Sequence, residues 1–175
     1  MAEAENLRNY AFISIGSNLP FGLQSPLDII AFAIESLERL TPKPNLASSA
    51  YLTGPIDSPA GTPDFYNSMV ALIPVEDETP LTFLHKLQGI ENAVGRHRSG
   101  VINEARTLDL DLISFKNEIL NTEELILPHP GAHKRRFVLE PLLEVAGRNF
   151  ILPGFSISIE EQLAEISNQQ SIRKI

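Results

Sequence analysis

The chain has 175 residues, of which 43% are hydrophobic and 21% charged, and it contains no cysteine. This composition is typical of a single globular domain, and it excludes intrinsic disorder as the main state, disulfide bonds and cysteine-ligated zinc. The formal net charge of −8 argues against general adhesion to nucleic acid or to anionic membranes. An acidic N-terminus and the lack of a long apolar segment favour a cytoplasmic protein.

Capping signals and apolar periodicity predict the element order βαββαβ, followed by two further helices. The predicted strands are 10–15, 46–53, 65–73 and 107–115, with a short return strand at 118–120, and the predicted helices are 26–40, 80–95, 137–146 and 158–166. The Gly- and Pro-rich loop 54–64 is long for a plain hairpin, which indicates a functional role. A second loop spans 96–106.

The segment Arg106-Thr-Leu-Asp109-Leu-Asp111-Leu is the sharpest local feature. On a strand, the period of two places its leucines on one face and both aspartates on the other. Two adjacent carboxylates repel each other, and a bound Mg²⁺ would relieve that repulsion. The alternative is a solvated outer face of the sheet, and the spacing alone favours neither interpretation.

Basic residues concentrate in the middle of the chain, where seven of the 14 Lys and Arg residues lie between positions 96 and 136. This concentration predicts a local anion site on an otherwise acidic protein. Glu91, Arg96 and Arg98 flank the end of the second predicted helix, where a surface charge cluster is the alternative to a functional site. The segment 128–136 predicts a phosphate clamp or, alternatively, only a basic helix start.

Motifs in this order resemble the hydroxymethyl-dihydropterin pyrophosphokinase family of folate biosynthesis. The matching segments cover nearly the whole chain: Ile15-Gly-Ser-Asn-Leu19, Pro63-Asp-Phe65 with Asn67, Gln88 with Ile90-Glu91 and Gly95-Arg96, Arg106-Thr-Leu-Asp-Leu-Asp111, Pro128-His-Pro130, Arg135 and Phe137-Val-Leu-Glu-Pro-Leu142. The resemblance implies one α+β domain over residues 1–175, with a ferredoxin-like βαββαβ core, an antiparallel sheet, helices packed on it and C-terminal additions.

The resemblance also implies transfer of the β,γ-pyrophosphoryl unit of ATP to the hydroxymethyl oxygen of 6-hydroxymethyl-7,8-dihydropterin. The small-molecule partners would be ATP and this pterin, two Mg²⁺ ions would serve as cofactors, and the protein is expected to be a monomer that binds neither nucleic acid nor membrane. The implied catalytic residues are Arg96, Arg106, Asp109 and Asp111, the two aspartates being the metal ligands. The implied ATP-binding residues are Gln88, Glu91, Arg98, Arg106, His129, His133 and Arg135, and those for the pterin are Thr53, Phe65, Asn67 and Phe137.

Some positions depart from the pattern of that family. Many members carry Trp-Gly-Pro where this chain has Asn103-Glu104-Ala105, so an aromatic lid over the pterin is not expected here. Gly54 replaces a frequent proline, Gly131-Ala132 replaces bulkier residues, and Glu124 stands where some members have a basic residue. Two other classes of function are alternatives to this enzyme. An RNA-recognition module is disfavoured by the acidic charge and the missing aromatic signature, whereas a non-catalytic nucleotide-binding domain requires an assay to separate it from an enzyme.

Overall fold

The structure is a computed structural model that describes residues 6–166 and 170–175. Within these residues the strands are β1 (Ala11–Ser17), β2 (Leu46–Ala47), β3 (Tyr51–Thr53), β4 (Phe65–Leu72), β5 (Asp109–Phe115), β6 (Leu120–Asn121), β7 (Ile126–Leu127) and β8 (Ile172–Lys174). The α-helices are α1 (Pro26–Glu38), α2 (Pro80–Ala93), α3 (Arg136–Ala146) and α4 (Ile159–Glu165). Short 3-10 turns lie at Asn6–Asn9 and Ala132–Lys134.

The main sheet has the strand order β5-β1-β4-β3-β8, with β2 also paired to β4, and all of its pairs are antiparallel. The chain runs β1, α1, β2 and β3, β4, α2, β5, which is the predicted βαββαβ order. The ferredoxin-like α+β core and the C-terminal additions are therefore confirmed. Among the described residues, none of the helices is long and apolar enough to cross a membrane.

Helices cover both faces of the sheet. α1 and α2 pack on one face, over a cluster that includes Ile13, Ile15 and Leu110, whereas α3 and α4 pack on the other face, over Phe12 and Met69. The starts of α1 and α2 follow the predicted signals, because Ser25 and Thr79 each accept a hydrogen bond from the backbone N–H three residues later and a proline follows each cap. Both helix positions are thus fixed by local chemistry.

The sheet differs from the sequence prediction at three places. The predicted strand 46–53 is split into β2 and β3, because the Oγ of Ser48 accepts the hydrogen bond of Met69 N and so interrupts the regular pairing with β4. The return strand after β5 pairs with β7 in a separate hairpin. The strand β8 was not predicted, and it pairs with the edge of β3.

Glu144 of α3 joins that helix to the edge strands of the sheet. Its carboxylate accepts hydrogen bonds from Tyr51 Oη at 2.6 Å and from both the backbone and the hydroxyl of Ser49, and Lys174 Nζ of β8 lies 3.3 Å away. Partial burial opposes ionisation, but these hydrogen bonds together lower the pKa of Glu144 to about 2. The carboxylate therefore ties α3, β3 and β8 together in its charged form.

Candidate active site

Strand β5 places both aspartates on the face of the sheet opposite α1 and α2. Leu108, Leu110 and Leu112 are buried in the cluster under those helices, so the predicted alternation is confirmed. Across the strands, Asp109 pairs with Gly16 and Asp111 pairs with Ser14. The carboxylates therefore stand on one face at the start of β5, beside the neighbouring strand β1.

A cleft of about 270 Å³ opens at this end of the sheet. Eight of the residues implied by the resemblance line it, namely Thr53, Phe65, Asn67, Arg106, Asp109, Asp111, Arg135 and Phe137. All four pterin candidates are in this set, together with both metal candidates. The sequence expectations for these two groups therefore converge on one cavity.

The two aromatic candidates come from different layers, since Phe65 begins β4 and Phe137 lies in the first turn of α3. Each ring has an arginine beside it: Arg106 Cζ is 5.5 Å from the ring centre of Phe65, and Arg135 Cζ is 5.8 Å from that of Phe137. Such cation–π neighbours place positive charge next to the apolar walls. The cleft thus combines flat apolar surfaces with groups that attract anions.

Polar groups at the inner end of the cleft come from β3 and β4. Asn67 Nδ2 donates a 2.6 Å hydrogen bond to Thr53 Oγ1, and both residues are buried. Gly16 leaves a gap between Asn67 and Asp109, because a Cβ at this position would lie 3.1 Å from Asn67 Oδ1 and 4.0 Å from the Cβ of Asp109. The glycine keeps the space next to these two side chains open.

Arginines surround the outer aspartate. Arg106 Nη1 lies 2.8 Å from Asp109 Oδ2, and Arg96 Nη2 lies 3.9 Å from Asp109 Oδ1. The Arg96 side chain is only 5% exposed, and its Nε and Nη1 atoms have no hydrogen-bond partner among the described residues. Burial, together with the positive charges of Arg106 and Arg98, lowers the pKa of Arg96 although Asp109 opposes the shift. Unpaired guanidinium donors beside a carboxylate suit an incoming anion.

Asp111 is the inner carboxylate, and its burial together with the charge of Asp109 raises its pKa well above the usual range for aspartate. A divalent cation bound to both aspartates would instead favour the charged form of Asp111. In the described parts of the chain, no three Asp, Glu or His side chains form a complete metal site. Mg²⁺ nevertheless fits this pair, because it commonly takes one or two carboxylates, several waters and phosphate oxygens.

Six predicted residues lie outside the cleft: Gln88, Glu91, Arg96, Arg98, His129 and His133. Glu91 is buried, and its carboxylate accepts hydrogen bonds from Leu110 N at 2.8 Å and from Arg98 Nη2 at 2.7 Å. Burial and the charge of Asp109 raise the pKa of Glu91, although the Leu110 hydrogen bond opposes this. Glu91 thus holds α2 against β5 and orients Arg98, while Gln88 is exposed on α2.

The two histidines occupy different surroundings. Burial and the nearby charge of Arg135 lower the pKa of His129, and its Nδ1 accepts a hydrogen bond from Gly131 N at 3.1 Å. The neutral ring therefore carries its proton on Nε2. The ring of His133 packs 5.3 Å from that of Phe155, and its buried Nδ1 has no partner within residues 6–166 and 170–175.

The loop between Arg96 and Arg106 contacts the other long loop. Asn103 Nδ2 donates a 3.1 Å hydrogen bond to the backbone oxygen of Asp57, and both residues have positive φ angles. Within the loop, Glu104 accepts hydrogen bonds from the backbone and the hydroxyl of Ser99. A polar contact at Asn103 therefore links the two loops.

Several lining residues were missed from sequence, among them Ser14, Gly16 and Gln170. The same strand alternation that predicted the two aspartates could also have predicted Ser14 and Gly16 of β1, which pair with them across the sheet. Gln170 carries no sequence signal, because its role arises from tertiary contacts. Its side chain accepts a hydrogen bond from Arg136 N at 2.8 Å and donates one to Lys134 O at 2.9 Å.

Comparisons with known proteins identify the family of this chain. A family model described as 7,8-dihydro-6-hydroxymethylpterin-pyrophosphokinase matches residues 12–147. A 2-amino-4-hydroxy-6-hydroxymethyldihydropteridine pyrophosphokinase of Haemophilus influenzae is 34% identical over 164 residues, which are 93% of this chain and 96% of that protein. A protein of the same name from Pseudomonas aeruginosa is 36% identical over 137 residues, covering 77% of this chain and 79% of that protein.

Solved structures show the same fold. The wild-type HPPK-DHPS of Plasmodium falciparum superposes with a TM-score of 0.67 at 14% identity, over 90% of this chain and 44% of that chain. The present chain thus spans less than half the length of that solved protein. The family match and the two bacterial relatives extend over most of the sequence, and the chain therefore belongs to the 7,8-dihydro-6-hydroxymethylpterin-pyrophosphokinase family.

Proposed function

We propose that this chain transfers the β,γ-pyrophosphoryl group of ATP to the hydroxymethyl oxygen of 6-hydroxymethyl-7,8-dihydropterin, yielding the pterin diphosphate and AMP in folate biosynthesis. A bond forms between the hydroxymethyl oxygen and the β-phosphorus, and the bond from that phosphorus to the oxygen it shares with the α-phosphorus breaks. That oxygen leaves on AMP, and the hydroxyl proton is released. The observation that carries the proposal is the cleft in which Asp109 and Asp111 adjoin Phe65 and Phe137.

The pterin side of the site consists of the two aromatic rings and the polar pair of β3 and β4. Phe65 and Phe137 stack against the flat bicyclic ring, which gains dispersion and hydrophobic free energy. Thr53 and Asn67 hydrogen-bond the polar edge of the pterin, since an amide and a hydroxyl together supply donors and acceptors. Their mutual 2.6 Å hydrogen bond holds both side chains in place before the ligand arrives.

The metal candidates are Asp109 and Asp111, which would hold Mg²⁺, and two ions are expected. When bound, the metal neutralises charge on the phosphate oxygens and lowers the cost of forming the new bond. The protein contributes two fixed carboxylates on one strand, so neither side chain must move far to become a ligand. Arg106 contacts Asp109 in this structure, and its guanidinium would be free to bind phosphate if Asp109 held a cation.

The nucleotide side lies next to Asp109. Arg96, Arg98, Arg106 and Arg135 supply donors to the phosphates, because a guanidinium presents a fork that matches phosphate oxygens. His129 contributes a neutral ring, and we assign Gln88, Glu91 and His133 to the same ATP subsite. Glu91 acts there through Arg98, whose guanidinium it holds. Catalysis then depends chiefly on positioning and electrostatics, as is general for phosphoryl transfer.

The decisive experiment measures AMP formed from ATP and Mg²⁺ with and without the dihydropterin. We expect AMP to form only when the dihydropterin is present, in an amount equal to that of the pterin diphosphate. Nucleotide binding without AMP release would instead indicate a non-catalytic nucleotide-binding domain. We further propose that residues 1–175 act as one monomeric domain in the cytoplasm that binds neither nucleic acid nor membrane, and light scattering of the purified chain tests the monomer.

A further inference from the structure

Asn18 follows β1 directly and lies between the two loops that border the cleft. It is only 4% exposed. Its Oδ1 accepts a hydrogen bond from the backbone N–H of Arg106 at 2.7 Å, and its Nδ2 donates one to the backbone oxygen of Pro63 at 3.0 Å. One buried amide therefore connects the end of β1 with two residues that lie 45 and 88 positions later in the sequence.

The orientation of this amide follows from its partners. A backbone N–H only donates and a carbonyl oxygen only accepts, so Oδ1 must face Arg106 and Nδ2 must face Pro63. The carbonyl of Arg106 is held as well, because the backbone N–H groups of Asn18 and Leu19 both donate to it at 3.1 Å. Every backbone polar group of Arg106 is therefore tied to the end of β1.

These contacts reach both halves of the proposed site. Arg106 places its guanidinium 2.8 Å from Asp109, and Pro63 lies two residues before Phe65, which lines the cleft. A shift of the Arg106 backbone would leave its N–H and the buried Asn18 oxygen without hydrogen-bond partners, which is unfavourable. The amide thus fixes where the loop 96–106 rejoins the sheet and where the loop 54–64 enters β4.

We propose that Asn18 is a positioning residue that holds Arg106 for the transferring phosphoryl group and, through a separate hydrogen bond, holds Phe65 for the pterin. This inference rests on the proposed function of the same site. Asn18 touches neither substrate in this scheme and acts through its two neighbours. Its two functions are separable, because each uses a different atom of the amide.

The test compares two substitutions of Asn18 with one of its neighbour. Asn18→Asp keeps an oxygen for Arg106 N–H but loses the donor to Pro63, whereas Asn18→Ala loses both. Ser17→Ala is the matched control, because the buried Ser17 Oγ donates a 2.6 Å hydrogen bond to Thr107 O and so joins the same two segments without contacting Arg106 N or Pro63. The readouts are kcat, the pterin Kd with a non-hydrolysable ATP analogue, and hydrogen exchange of the Arg106 amide.

Asn18→Ala is expected to lower kcat about tenfold, to weaken pterin binding and to accelerate exchange of the Arg106 amide, the size being that of a lost buried hydrogen bond. Asn18→Asp is expected to weaken pterin binding while kcat and exchange at Arg106 stay near wild type. Ser17→Ala should lower the Tm without changing kcat or the pterin Kd.

The inference is overturned if Asn18→Ala and Ser17→Ala change kcat equally, or if exchange at Arg106 is unchanged in Asn18→Ala. If Asn18→Ala does not fold, Asn18→Asp still tests the proposal. Wild-type pterin affinity in Asn18→Asp would contradict the role assigned to the hydrogen bond from Asn18 to Pro63. A wild-type protein that forms no AMP would refute the proposed function instead, and exchange of the Arg106 amide in the free protein would still test the positioning.

Discussion

The guanidinium of Arg106 lies 2.8 Å from Oδ2 of Asp109, so the outer aspartate already has a counter-charge in the protein. The inner aspartate, Asp111, is disfavoured in its charged form by burial and by Asp109. The two carboxylates therefore share a strand face but differ in what stabilises them. Replacing one aspartate should therefore affect the stability of the protein differently from replacing the other, although both substitutions remove a carboxylate.

Asp109→Asn and Asp111→Asn should each lower the rate of transfer by on the order of 100-fold or more, because each removes a charged metal ligand. Their effects on stability should differ in metal-free buffer. Asp111→Asn should hold or raise the Tm, since it removes a buried charge, whereas Asp109→Asn should lower it by leaving Arg106 without its partner. Calorimetric melting and AMP formation check both effects, and near-normal activity of either variant would refute the metal assignment.

Phe137→Ala should weaken pterin binding by about 1–3 kcal/mol, by analogy with nucleobase stacking on aromatic side chains, and should affect ATP binding much less. Titration calorimetry with each ligand measures both affinities. The control is Phe150→Ala, which removes a buried ring from the same side of the sheet without lining the cleft. Equal losses for pterin and ATP in Phe137→Ala would indicate a general packing role.

Gly16→Ala should weaken the binding of the pterin roughly tenfold, which corresponds to about 1.4 kcal/mol of binding free energy. The added methyl group would lie 3.1 Å from Asn67 Oδ1 and would displace the side chain that we assign to the pterin edge. Gly89→Ala is a suitable comparison, because that glycine is exposed on α2 with no atom within 4 Å of an added Cβ. It should stabilise the helix by about 0.5–1 kcal/mol and leave pterin binding intact. An unchanged pterin affinity in Gly16→Ala would mean that the ligand does not use this gap.

Residues 97–104 should exchange their amide hydrogens quickly in the free protein and slowly with a non-hydrolysable ATP analogue, Mg²⁺ and pterin. Phosphate contacts to Arg98 and Arg106 are the physical cause, since in the free protein Asn103 ties this loop to the loop 54–64 by one hydrogen bond. Arg106→Ala should then lower kcat by about 100-fold while changing the pterin Kd much less. Equal protection with and without ligands would eliminate closure of this loop.

Acid should weaken the attachment of α3 to the edge strands. The pKa of Glu144 is lowered from 4.5 to about 2, so its contribution to stability is complete above about pH 5 and is lost as the pH falls towards 2. The wild-type Tm should therefore exceed that of Glu144→Gln at pH 7, and the difference should shrink by pH 3. Melting curves of both proteins between pH 3 and pH 7 test this dependence. A Tm difference that does not change with pH would show that the charge of Glu144 is not involved.

Local patterns predicted the part of the molecule in which short-range chemistry decides the structure. The alternation around Asp109, the Ser-Pro and Thr-Pro helix starts, and the convergence of Phe65 and Phe137 on one cleft follow from residues close together or from the family motifs. The division of the strand at Ser48 depends on a side chain that replaces a backbone acceptor across the sheet. The pairing of β8 and the position of Gln170 depend on contacts between distant segments, which periodicity does not encode.

The cleft is lined by residues from β1, β3, β4, β5, α3 and the C-terminal segment, which only the assembled sheet brings together. Partial unfolding at any one of these elements would therefore remove part of the lining and weaken ligand binding. Substrates that bind only the folded state must then raise the midpoint of global unfolding in proportion to the logarithm of their concentration. A thermal-shift titration would for that reason report occupancy of the pocket even in variants too slow to assay.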